Sequence, residues 1–150
     1  MLRLVLVLLV LAAPARAADP AVEVRALYQR FAAAQNARDL ERVRPLLLDR
    51  PEFLWVSDGQ SFWGADAVLA RMASFQRAET WRVEPDLAAA VPVVVSERVA
   101  YLHLPLVLVI GPAAHPDRLR FLVSLLAVDT GRGWKIAALF TTTAKSVAGG

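Results

Sequence analysis

The chain has 150 residues, of which 57% are hydrophobic, 21% charged and none cysteine. That composition sets aside disordered polymers, disulfide scaffolds, thiol catalysis and cysteine-ligated metals. The net charge of +3 includes Arg3 and Arg16 near the N-terminus, and later arginines such as Arg38, Arg44, Arg71 and Arg82 are scattered rather than clustered, so no nucleic-acid partner is expected.

Met1-Leu2-Arg3 is followed by an apolar run from Leu4 to Ala13 and then by Pro14-Ala15-Arg16-Ala17. A positive charge, a short apolar segment and a small-x-small site form the pattern of a cleaved secretory signal peptide over 1–17. A membrane-spanning helix needs about 20 apolar residues, so an uncleaved anchor is the weaker reading. Cleavage predicts a periplasmic or secreted protein with one domain over 18–150 and no membrane association once the signal is gone. From about Ser146 the chain is expected to fray.

Asp19-Pro20 opens a helix, aspartate capping and proline fitting the first turn. Val24, Leu27, Tyr28, Phe31, Ala32 and Gln35 recur at helical spacing and define its buried face, ending near Asn36-Ala37-Arg38. Asp39 caps a second, shorter helix that Pro45 bends or limits. Phe53 to Gly64 reads as a short strand, a Ser57-Asp58-Gly59 turn, a second short segment and the start of a third helix. That helix is predicted to bury Val68, Leu69, Met72 and Phe75 and to turn Arg71, Gln76 and Arg77 outward.

Everything from Thr80 reads as strand: Thr80 to Glu84, Val91 to Val95, Val99 to Ile110, Leu119 to Val128 and Trp134 to Thr143, with a hairpin turn at Asp129 to Gly133. The long strand from Val99 is apolar on both faces, with Tyr101, His103, Pro105, Val107 and Val109 on one and Leu102, Leu104, Leu106, Leu108 and Ile110 on the other. Half-wet antiparallel strands alternate more cleanly. Three helices cover one sheet face, so the second predicts a homodimer through the sheet.

This order of elements resembles the nuclear transport factor 2-like superfamily, in its SnoaL-like and ketosteroid-isomerase-like branch. The resemblance is carried by Tyr28 to Leu40, Ser57-Asp58-Gly59, Phe62 to Val68, Gly133-Trp134-Lys135-Ile136 and Phe140-Thr141-Thr142. It implies an α+β, cone-shaped fold in which a strongly curved, mixed or antiparallel sheet wraps a long N-terminal helix, with two further helices and a pocket at the wide end. The isomerases of that branch resemble this chain less in chemistry. Phe31 stands where they carry a tyrosine donor, the base position falls near Trp55 with Ser57 or Asp58 as the nearest polar residues, and the second donor falls near Val123 or Ser124. Isomerase chemistry of that type is not expected.

The candidate ligand pocket comprises Tyr28, Phe31, Trp55, Asp58, Trp63, Trp81, Tyr101, His103, Phe121 and Phe140, mostly aromatic residues from elements that would line a cone. Tyr28, Asp58 and His103 form the candidate catalytic cluster, with His103 as base oriented by Asp58. His103 and His115 are the two histidines and no His-x-x-x-His spacing exists, so neither a metal nor a cofactor is expected. Three functions stay open: an exported, non-catalytic domain binding a small apolar molecule, a SnoaL-like isomerase, lyase or hydrolase using that cluster, and a dimeric assembly protein with a filled cone.

Overall fold

The computed structural model describes residues 18–145. The expected signal peptide and the tail from Ser146 lie outside them. Helix α1 (Pro20–Asn36) starts where the Asp19 carboxylate accepts a hydrogen bond from the Ala21 amide at 2.9 Å. It buries Val24, Leu27, Tyr28, Phe31, Ala32 and Gln35, the face its spacing predicts. Arg38 then takes the left-handed conformation, φ 55°, and the Asp39 amide reaches back to the Ala34 carbonyl, closing the helix in a Schellman turn without a glycine. Asp39 caps α2 (Leu40–Val43), which Pro45 converts into a 3-10 turn over Arg44–Leu46.

Strands β1 (Leu54–Ser57) and β2 (Gln60–Trp63) form a tight hairpin. Asp58 (φ 52°) and Gly59 (φ 69°) are both left-handed, as a two-residue type I′ turn requires, and the Asp-Gly pair suits it. Helix α3 (Gly64–Phe75) follows directly and buries Val68, Leu69 and Met72. The rest of the sheet comprises β3 (Thr80–Pro85), β4 (Val91–Ser96), β5 (Val99–Gly111), β6 (Asp117–Asp129) and β7 (Trp134–Thr143). Its order is β2-β1-β7-β6-β5-β3, with β4 also paired to β5. β1 runs parallel to β7 and all other pairs are antiparallel.

β3 and β4 share one edge of β5, β3 along Leu106–Gly111 and β4 along Val99–His103. Pro85 closes the first of them. The interruption is pinned by Arg25 of α1, whose guanidinium donates to the carbonyls of Leu87 and Ala90. Register shifts in β4 and between Leu126 and Ala127 of β6 bend the sheet, which lays its concave face against α1.

Strand parity decides which residues enter that concave face. Across β5, β6 and β7 the rows Leu102–Leu125–Leu139 and Leu104–Val123–Thr141 face inward. The rows Tyr101–Leu126–Ala138 and His103–Ser124–Phe140 face outward. Both faces are apolar, as the sequence pattern indicated, and the outer one leaves Tyr101, Leu122, Leu126 and Phe140 exposed.

Candidate functional site

A cavity of about 570 Å³ opens between α1, α3 and the concave face of the sheet, within the usual range for small-molecule pockets. Each wall derives from a local feature. α1 supplies Tyr28, Phe31 and Gln35 at helical spacing from its buried stripe. The β1–β2 hairpin supplies Trp55, Ser57, Asp58 and Gly59, and β3 supplies Trp81 and Val83 by alternation. β6 supplies Leu119, Phe121 and Val123, again every second residue. The result is an aromatic and aliphatic surface with a few polar groups set into it.

The polar groups differ in how well the protein satisfies them. The indole Nε1–H of Trp55 donates to the Thr141 hydroxyl at 3.0 Å. The indole Nε1 of Trp81 and the Nε of Arg71 are buried and find no partner among the described residues. A buried donor left unpaired costs about 1–3 kcal/mol, so both are unusual in a well-packed wall. Burial pushes the Tyr28 hydroxyl well above its ordinary pKa, because the phenolate would be poorly solvated there, and the group stays protonated as a donor.

Arg71 is placed by α3 with its guanidinium over two aromatic rings, 4.1 Å from the centroid of Phe75 and 5.4 Å from that of Phe62. Phe75 in turn stacks on Trp81 with centroids 5.9 Å apart and planes 10° from parallel. The ion pairs among the described residues, Arg44–Asp66, Arg82–Glu84, Arg98–Asp129 and Arg118–Glu84, do not include Arg71. The cavity therefore has an aromatic-stacked cation with no carboxylate of its own.

Tyr28, Phe31, Trp55, Asp58, Trp81 and Phe121 line this cavity. Trp63, Tyr101, His103 and Phe140 do not, and this corrects the sequence expectation. Trp63 ends β2 and is 58% exposed. Tyr101, His103 and Phe140 have the outward parity of their strands, Tyr101 and Phe140 being 42% and 44% exposed. His103 pairs with Ser124 on the outer face, Nδ1 to Oγ at 2.9 Å. The sheet thus separates His103 from Tyr28 and Asp58, and the three-residue acid-base cluster is not assembled. Phe31 and Val123 face the cavity without a donor, while Ser124 turns to the other side.

Arg71 of α3 and its C-cap residue Gln76, both expected outside, are also inside. Gln76 is 8% exposed and packs at the end of α1, its amide reaching the Gln35 carbonyl. Arg71 lines the cavity. The spacing carries the signal for this position, since Arg71 lies three residues after Val68 and four before Phe75 and so flanks the same helix face. The charge of an arginine, rather than its spacing, points to solvent. Gln35, Ser57 and Thr141 also line the cavity beyond the residues expected there. Among the described residues no group of three or more His, Asp or Glu side chains is arranged to hold a metal ion.

Residues 24–139 match the family described as the SnoaL-like domain. The chain belongs to that family. No curated protein matches its sequence. Solved structures share the fold of this SnoaL-like chain at low identity. A protein of unknown function from Mycobacterium tuberculosis superposes with a TM-score of 0.72 at 18% identity, covering 85% of this chain and 77% of its own. An uncharacterised protein with a cystatin-like fold from Caulobacter vibrioides gives 0.72 at 19%, covering 85% and 91%. A protein from Novosphingobium aromaticivorans, provisionally described as a scytalone dehydratase, gives 0.68 at 12%, covering 83% of each chain. These likenesses show the fold alone, the cystatin-like fold that solved nuclear transport factor 2-like proteins also have, and they leave the chemistry of the SnoaL-like chain to its own residues.

Proposed function

We propose that this SnoaL-like domain is exported and binds a small, largely apolar molecule in its cone without transforming it. The observation that carries the reading is the open cavity of about 570 Å³ walled by Tyr28, Phe31, Trp55, Trp81 and Phe121. A filled cone would suit an assembly role, and a complete acid-base set would suit catalysis; the cavity is open and His103 lies outside it. Export rests on the signal-like pattern of residues 1–17.

Native mass spectrometry of the protein purified from its own host tests this directly. A reproducible small-molecule mass, present under native and absent under denaturing conditions, is the expected result. Leu108→Trp, which fills the cavity from β5, should abolish that adduct while leaving the fold intact. An adduct that survives this substitution would place the ligand elsewhere and sink the reading.

A second reading has one observation in its favour. Tyr28 and Asp58 share the cavity, and the Novosphingobium relative is provisionally described as a dehydratase. A lyase built on those two groups would turn over candidate hydroxy substrates, and Tyr28→Phe would remove that activity.

The outer sheet face supports a homodimer. Tyr101, Leu126 and Phe140 sit in adjoining registered rows on β5, β6 and β7 and are all exposed in the single chain. Apolar patches of this kind are uncommon on monomers.

A further inference from the structure

Building on the reading of the cone as a binding cavity, we propose that its ligand is an apolar molecule ending in a carboxylate, and that Arg71 holds this end. Two observations converge. Arg71 is a cation in the cavity wall that takes part in no ion pair among the described residues. Its Nε is buried out of a ligand's reach, which leaves the two terminal nitrogens, the end edge of the guanidinium and one of the two edges that bind a carboxylate through parallel hydrogen bonds, to meet the anion.

The charge count of the wall has the matching sign. Arg71 and Lys145 line the cavity against one carboxylate, Asp58, which is not within ion-pairing distance of either. A low-dielectric apolar wall strengthens the attraction between the remaining positive charge and an anion. The aromatic rings beneath Arg71 hold its plane by cation–π contact and cannot neutralise it. An alternative role for Arg71, packing alone, uses the stem and the contact with the rings and leaves the charge idle.

Paired probes separate the two roles. Naphthylacetic acid and naphthylethanol, and dodecanoic acid and dodecanol, each match in bulk and differ in charge. By isothermal titration the wild-type protein should bind each acid about tenfold more tightly than its alcohol, the increment expected of a charge-assisted pair. Arg71→Met keeps the stem and the bulk; it should erase the preference and leave alcohol binding within about twofold, with the circular dichroism spectrum unchanged. Arg71→Lys should restore part of the preference. Equal binding of acid and alcohol by the wild type, or a preference that survives Arg71→Met, would overturn the inference while leaving the cavity as an apolar pocket. Failure of both pairs to bind would overturn the cavity reading, and this inference with it.

Discussion

Trp55 and Thr141 meet across a parallel strand pair, the indole Nε1–H donating to the threonine hydroxyl at 3.0 Å. The bond joins the first short hairpin to the last strand, across the one parallel pair of strands in a sheet whose other strand pairs, among the described residues, are antiparallel. It also fixes one face of the cavity. Thr141→Val keeps the shape and removes the acceptor, which leaves the Trp55 N–H without a partner. A loss of about 1–2 kcal/mol in urea unfolding is expected; no measurable loss would mean that the indole finds another acceptor.

Asn36 closes the free edge of β3. Its side-chain oxygen accepts from the Val83 amide at 2.7 Å and its nitrogen donates to the Val83 carbonyl at 2.9 Å, so a side chain at the end of α1 imitates a neighbouring strand. Asn36→Ala should destabilise the fold by about 1–3 kcal/mol. Amide exchange should show the Val83 N–H losing protection beyond the global change, and unchanged protection would show that this edge is held by other groups.

Tyr28 gives the protein an alkaline limit. Below pH 10.0, its ordinary pKa, the hydroxyl is neutral in both folded and unfolded chains. Above it the unfolded chain releases a proton that the buried residue keeps, so stability falls as pH rises, by up to about 1.4 kcal/mol per pH unit. The Tyr28→Phe variant should lack that component of the decline. Parallel stability curves for the two proteins above pH 10 would show that the hydroxyl reaches water.

Phe140 lies at the middle of the exposed outer face, paired in register with Ser124 of β6 and Val56 of β1. If that face joins two copies, Phe140→Glu or Leu126→Glu should convert a dimer into a monomer in sedimentation while leaving the cavity intact. A wild-type protein that sediments as a monomer would remove the dimer.

Much of this protein is legible in its residue order because the signals are local. The Asp19-Pro20 start, the apolar stripe from Val24 to Gln35, the Asp58-Gly59 turn and the doubly apolar run from Val99 depend on spacing along one segment, and the structure follows each of them. The likeness to the SnoaL-like family was legible for the same reason, since the sequence of elements is itself a local record.

The site was legible only in part. Tyr28, Phe31, Trp55, Asp58, Trp81 and Phe121 reach the cavity, whereas His103, Tyr101 and Phe140 sit one residue out of phase with their inward neighbours and land on the opposite face. A strand with apolar residues on both faces carries no local sign of which parity is inside. The sequence alone determined which segments are helices and strands, and that both sheet faces would be apolar. Only the packing of the curved sheet around α1 chose which parity faces the helix, and only the meeting of α3 with β3 brought Arg71, Phe75 and Trp81 together, because those are contacts between segments and no single segment encodes them.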